Sequence, residues 1–69
     1  MTRTEAENEV LKEAAKALEL QDKLRQQLRE NENRLFILCR DYDKASGSIL
    51  IQPHHLAMAC RARGFYDSE

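Results

Sequence analysis

The chain has 69 residues, 42% of them hydrophobic and 33% charged, with a net charge of −1 from 11 basic and 12 acidic side chains. That length makes at most one domain, in the range where a single core is marginal. The balanced charge excludes the broad basic excess of a dedicated nucleic-acid binder, and no apolar run approaches the roughly 18 residues a membrane span needs.

From Thr4 to Asp43 the sequence contains neither Pro nor Gly. Over that span Val10, Ala14, Ala17, Leu24, Leu28, Leu35, Leu38 and Tyr42 recur at helical steps, which is the period of a helix with one face seeking a partner. The pattern predicts one helix over about 4–43. Thr4 is its N-cap, with Glu7 completing a capping box, and Glu5, Glu7 and Glu9 complement the positive end of the dipole. Glu19 with Lys23 and Glu30 with Arg34 are supporting pairs four residues apart. At 1.5 Å per residue the rod is about 60 Å long. The short remainder cannot cover it, so the expected architecture is an all-α homodimer joined along Val10, Ala14, Ala17, Leu24, Leu28 and Leu35. Gln21, Arg25, Asn31 and Glu32 interrupt the seam, and polar residues there set register and partner number. Leu35-Phe36-Ile37-Leu38-Cys39 is apolar all round, and such a stretch is expected to be covered on every side.

The run Asp43-Lys44-Ala45-Ser46-Gly47-Ser48 reads as a turn, with Gly47 supplying a positive φ. Residues 44–52 form the connector, in which Ser48-Ile49-Leu50-Ile51 is either extended or a very short strand. Pro53 suits the first turn of a second helix, running to about Arg63 with Gly64 as its left-handed cap. Leu56, Ala59, Cys60 and Arg63 make its inner face, Phe65 folds back near Cys60, and Tyr66 onward is a short frayed tail.

The chemistry-bearing residues point away from catalysis and metals. Cys39, His54, His55 and Cys60 lack the close knuckle pairs of a structural zinc site. The segment from Asp41 to Gln52 places Gly47 one position late for a calcium loop and ends without the bidentate Glu. Neither His has a carboxylate near it in sequence, and no glycine-rich loop or nucleophile motif is present. The expectation is a non-enzyme without cofactor or metal. Cys39 and Cys60 read as buried free thiols of a reducing compartment, and the polar, acidic start reads as no signal peptide. The chain is therefore expected in the cytoplasm.

Recognition-type side chains gather near the turn and the second helix: Arg40, Tyr42, Arg61, Arg63, Phe65 and Tyr66. Arg and Tyr dominate interface hot spots, so these six are the candidate partner-binding residues. The rival reading is a small DNA-binding regulator that uses helix 53–63, whose face carries His54, His55, Arg61 and Arg63.

In its length and in its layout of helix 4–43, turn 44–52 and helix 53–63, the chain resembles the small quorum-sensing anti-activator, or host-takeover, proteins of Mu-like Pseudomonas phages. The resemblance spans the whole chain and transfers no functional residue, because it contains no shared motif. It implies a dimer in the host cytoplasm that binds a LuxR-type quorum-sensing receptor and blocks its DNA binding. The assembly ATPase of type IV pili is implied as a second target.

Overall fold

The computed structural model describes residues 2–24 and 28–67, and these form three helices without a strand: α1 (Arg3–Leu24), α2 (Arg29–Ser46) and α3 (Pro53–Ala62). The single helix expected over 4–43 is thus two. Leu28 is extended, with φ −94° and ψ 124°, and α2 begins after it. The chain has by then reversed direction. Asn31 reaches Ala17, Arg34 reaches Glu13, and Gly47 lies beside Arg3. The longest dimension is 34 Å, about the length of a 22-residue helix, and well short of the expected rod.

A helical period specifies a face and leaves open which chain covers it. Here the cover comes from within. Of the six residues expected at a dimer seam, Ala14, Ala17 and Leu35 are buried in the chain's own core and Val10 packs against it. Leu28 is half-buried and Leu24 is exposed. Alanines make this possible. Ala14, Ala15 and Ala17 on α1 leave room for α2 on one side and α3 on the other, with Leu11 and Leu18 completing the buried face. From α2 come Leu35, Leu38 and Cys39, and from α3 Leu56, Ala57 and Cys60.

The polar seam residue Asn31 sets register within the chain. Although buried, it donates from Nδ2 to the Ala17 carbonyl at 3.0 Å and to Gln21 Oε1 at 2.6 Å. A buried amide satisfied at one alignment of α1 against α2 is left unpaired at the others, which disfavours slippage. Arg25, placed in the same seam by the sequence, lies outside the described residues. Arg34 bridges to Glu13 of α1 at 2.8 Å instead of turning back to Glu30.

The helix ends follow known capping chemistry, with one shift. The capping box sits two residues earlier than expected: Thr2 Oγ1 accepts the Glu5 amide and Glu5 Oε1 accepts the Thr2 amide. Glu7, the expected partner of Thr4, is engaged by Arg63 and Arg3. Gly47 closes α2 at φ +77°, its amide donating to the Asp43 carbonyl. At the end of α3, Phe65 donates to the Cys60 carbonyl and Gly64, also at φ +77°, to that of Arg61. That pair of bonds is a Schellman motif, with glycine at its left-handed position. It turns the chain so that Tyr66 enters the core at 6% exposure, in place of the frayed tail expected there. The connector carries no strand at Ser48–Ile51. Ile51 packs against the core, while Ile49 and Leu50 project from it and Leu50 adopts φ +61°.

Candidate protein-binding groove

The apolar run 35–39 divides. Leu35, Leu38 and Cys39 face inward, but Phe36 and Ile37 remain 58% and 50% exposed. The expectation that this stretch is covered on every side is corrected: α1 and α3 together cover only part of α2, and its outer face stays open. Phe36 forms one wall of a groove of about 390 Å³ between α2 and α3. Leu18, Leu35, Ala57 and Tyr66 also line it, with Pro53 toward one end. His54 and Arg61 line it from α3, Glu32 from α2, and Gln21 and Asp22 from α1.

Local chemistry fixes these groups. Gln52 and His55 form a capping box at the start of α3, in which the Gln52 amide donates to His55 Nδ1 at 3.0 Å. The His54 ring lies 4.0 Å from that of His55. Tyr66 donates its hydroxyl to Asp22, so α3's return segment is tied to the end of α1. Above the Tyr66 ring, at 5.2 Å, stands the Arg61 guanidinium, a favourable placement for a cation over an aromatic face.

The six residues expected at a partner surface separate accordingly. Tyr42 and Phe65 are half-buried and pack against the core. Tyr66 is a core residue whose upper face meets Arg61. Arg63 binds Asn8 Oδ1 at 2.7 Å and Glu7 Oε2 at 3.0 Å, holding the end of α3 to the start of α1. Arg40 and Arg61 are left as exposed bases, one on each wall-forming helix. Sequence reasoning missed Phe36 and Glu32 as surface groups. The signal was present in the five-residue apolar run, because two neighbouring helices cannot enclose a third one completely.

A second depression, of about 500 Å³, lies near the α1–α2 reversal, between Leu20, Leu28, Asn31 and the stems of Arg29 and Arg34. Leu20, which lines it, and Leu24, the last residue of α1, each expose over two fifths of their surface.

The thiols and imidazoles do not converge. Cys60 is fully buried and donates from Sγ to the Leu11 carbonyl at 3.3 Å. Burial, with a smaller push from the Asp43 carboxylate, raises the Cys39 thiol to about 11. Cys60 is also raised by burial, partly offset by Arg63. Both are therefore protonated and poorly nucleophilic at neutral pH. Among the described residues no three His, Cys, Asp or Glu side chains come together as a metal would require. Asp43 directs Oδ2 to the Ile51 amide at 3.5 Å. No helix of the described residues is long and apolar enough to cross a membrane.

No protein-family model, no curated protein and no solved structure matches the chain.

Proposed function

We propose that this chain is a small, non-enzymatic inhibitor that acts by binding another protein through the α2–α3 groove. The observation that carries the reading is Phe36, a large aromatic side chain left 58% exposed at the mouth of an apolar-floored groove. Aromatic and Arg side chains around a pocket are the usual anchors of protein recognition, and here Phe36 and Arg61 line the groove together. The DNA-binding alternative has less support. Of the bases on helix 53–63, Arg63 is held by Glu7 and Asn8.

The target class follows the resemblance in length and layout: a LuxR-type quorum-sensing receptor of a phage's host, released from DNA on binding, with a type IV pilus ATPase as a second target. The structure alters that layout by dividing the long helix, so this target rests mainly on length. Homodimer formation belongs to the same proposal. Because Ala14, Ala17 and Leu35 are spent inside the chain, Leu20 and Leu28 at the second depression and the exposed Leu24 are the residues for a dimer contact.

The experiment is a gel shift with a purified LuxR-type receptor on its operator. Addition of the chain is expected to free the DNA, and Phe36→Ser to prevent this. Undiminished DNA binding at a large excess of the chain rejects that target. Sedimentation at micromolar concentration tests the dimer, and a monomer that Leu24→Asp leaves unchanged rejects it.

A further inference from the structure

We propose that His55 is a pH-sensitive cap on α3, which secures the start of the helix while its ring is neutral and releases it in mildly acid solution. The Gln52 amide donates to His55 Nδ1 at 3.0 Å. That nitrogen accepts only through its lone pair, so the ring is neutral with its proton on Nε2. A proton added to Nδ1 turns the acceptor into a second donor aimed at the Gln52 N–H, and the bond is lost. Histidine is the side chain whose charge ordinarily changes between about pH 5 and 8. The Gln more usual at this third position of a capping box keeps its acceptor throughout that range.

The surroundings act in the same direction. The first turn of α3 carries no acid, so a charged ring there stands at the positive end of the helix dipole without a local counter-charge. The His54 ring lies 4.0 Å away, and two charged rings at that spacing repel. Both rings are exposed, and among the described residues no ion pair includes either of them. The charged groups that share the groove with His54 are Arg61 of α3, Glu32 of α2 and Asp22 of α1. Asp22 accepts the Tyr66 hydroxyl, and in the connector Asp43 is directed to the Ile51 amide. None of them is bonded to the His55 ring, whose hydrogen bond is to Gln52. The cap bears on the groove because Pro53 and His54, the first two residues of α3, line it. Leu56 and Ala57, farther along, are buried. Loss of the cap therefore frays the first turn and alters one end of the groove while the rest of α3 stays docked. Resting on the protein-binding reading, a partner seated there is held less tightly in acid than at neutral pH.

The test compares the wild-type chain with His55→Gln, which keeps an acceptor in place and does not titrate. Thermal melts are taken at about pH 7.5 and about pH 5, the two sides of the histidine range. The two chains should melt together at the higher pH, and the wild type about 4 °C below His55→Gln at the lower. His55→Ala, uncapped throughout, should melt about 4 °C below the wild type at the higher pH and close to it at the lower. NMR assigns the effect. The Gln52 amide resonance should move with the His55 ring signals in the wild type and in His54→Gln, and hold its place in His55→Gln. Parallel melts of the wild type and His55→Gln, or a Gln52 amide indifferent to the His55 ring, overturn the switch. Neither measurement needs a partner. Capture of a purified LuxR-type receptor is read separately, and should weaken about fivefold in acid for the wild type and less for His55→Gln. Capture that falls equally in both chains, or in neither, overturns the link from cap to groove. If the melts and NMR show the switch and no receptor is captured at either pH, the cap stands and that target reading fails.

Discussion

The inner surface of α1 and the outer surface of α2 use side-chain size in opposite ways. Where α1 is enclosed by both other helices, much of the contact is made by Ala14, Ala15 and Ala17. Where α2 faces outward, Phe36 and Ile37 are left uncovered, and Ile49, Leu50 and Met58 are exposed farther along the chain. Small residues bring backbones close and fix the arrangement; large ones retain the area that a partner can bury. Stability and recognition are therefore carried by different residues, and substitutions should separate them.

The largest effect is expected at the enclosed surface. Leu11 and Leu56 are fully buried, and truncation of such a leucine to alanine costs about 2–5 kcal/mol. In a domain of this size each kcal/mol moves the midpoint by about 4–8 °C. Leu56→Ala should therefore lower the thermal midpoint by ten degrees or more, as followed by circular dichroism. A loss of only a degree or two would mean that α3 is not packed as described.

The second effect depends on pH. The Cys39 thiol has an ordinary pKa of 9.0 when unfolded, and burial pushes it up to about 11 when folded. Its folded pKa is raised, so its contribution is full below pH 9 and is lost as pH climbs toward 11. Two pKa units correspond to roughly 2–3 kcal/mol at the upper limit. Urea denaturation across that window should show the decline, and Cys39→Ala should flatten it. An unchanged slope in the variant would place the thiol in a more open setting.

Asn31→Ala is expected to cost about 1 kcal/mol, the net value of a typical hydrogen bond, measured by urea unfolding. Because the amide also holds register, the variant's amide exchange should accelerate along the α1–α2 contact more than in α3. Uniform acceleration would remove the register role.

At the open surface the stability effects are smallest. Phe36→Ser should alter unfolding free energy by no more than about 0.5 kcal/mol, as surface changes usually do, while removing partner capture. A large destabilisation would show that Phe36 belongs to the core. Leu50→Gly should raise stability by a few tenths of a kcal/mol. Relief of a left-handed leucine slightly outweighs the added backbone entropy of glycine, and a thermal melt reads the sign.

The sequence made the helices legible more readily than their partners. Pro53, Gly47 and Gly64 marked their boundaries because each imposes a backbone geometry that few other residues tolerate. The reversal after Leu24 had no such mark, since neither Gly nor Pro stands between Leu24 and Arg29. The stripe from Val10 to Leu38 suits one long helix facing another chain as well as two helices facing each other. Asn31 and Gln21 gave the available hint, being able to satisfy each other if the chain folds back. Of the six residues expected at a partner surface, Arg61 and Tyr66 line the groove, while Arg40 is exposed on α2 outside its lining. Tyr66 was placed in a frayed tail, and Arg63, though set on the inner face of the second helix, was also counted for a partner, because nothing local reveals that Asp22 and Glu7, more than forty residues earlier, hold them. Phe36 was taken for core because periodicity records apolarity without showing how much cover the fold has to give.

The clasp between Arg63 and Glu7 also bears on the order in which the molecule assembles. Asn31 meets Ala17 across 14 residues, whereas Arg63 meets Glu7 across 56. Two doublings of the intervening length add about 1.2 kcal/mol of closure entropy. Pairing of α1 with α2 should therefore precede docking of α3, so that the groove is the last feature to form. In stopped-flow refolding, Asn31→Ala should then slow the forward reaction, and Arg63→Ala should mainly hasten unfolding.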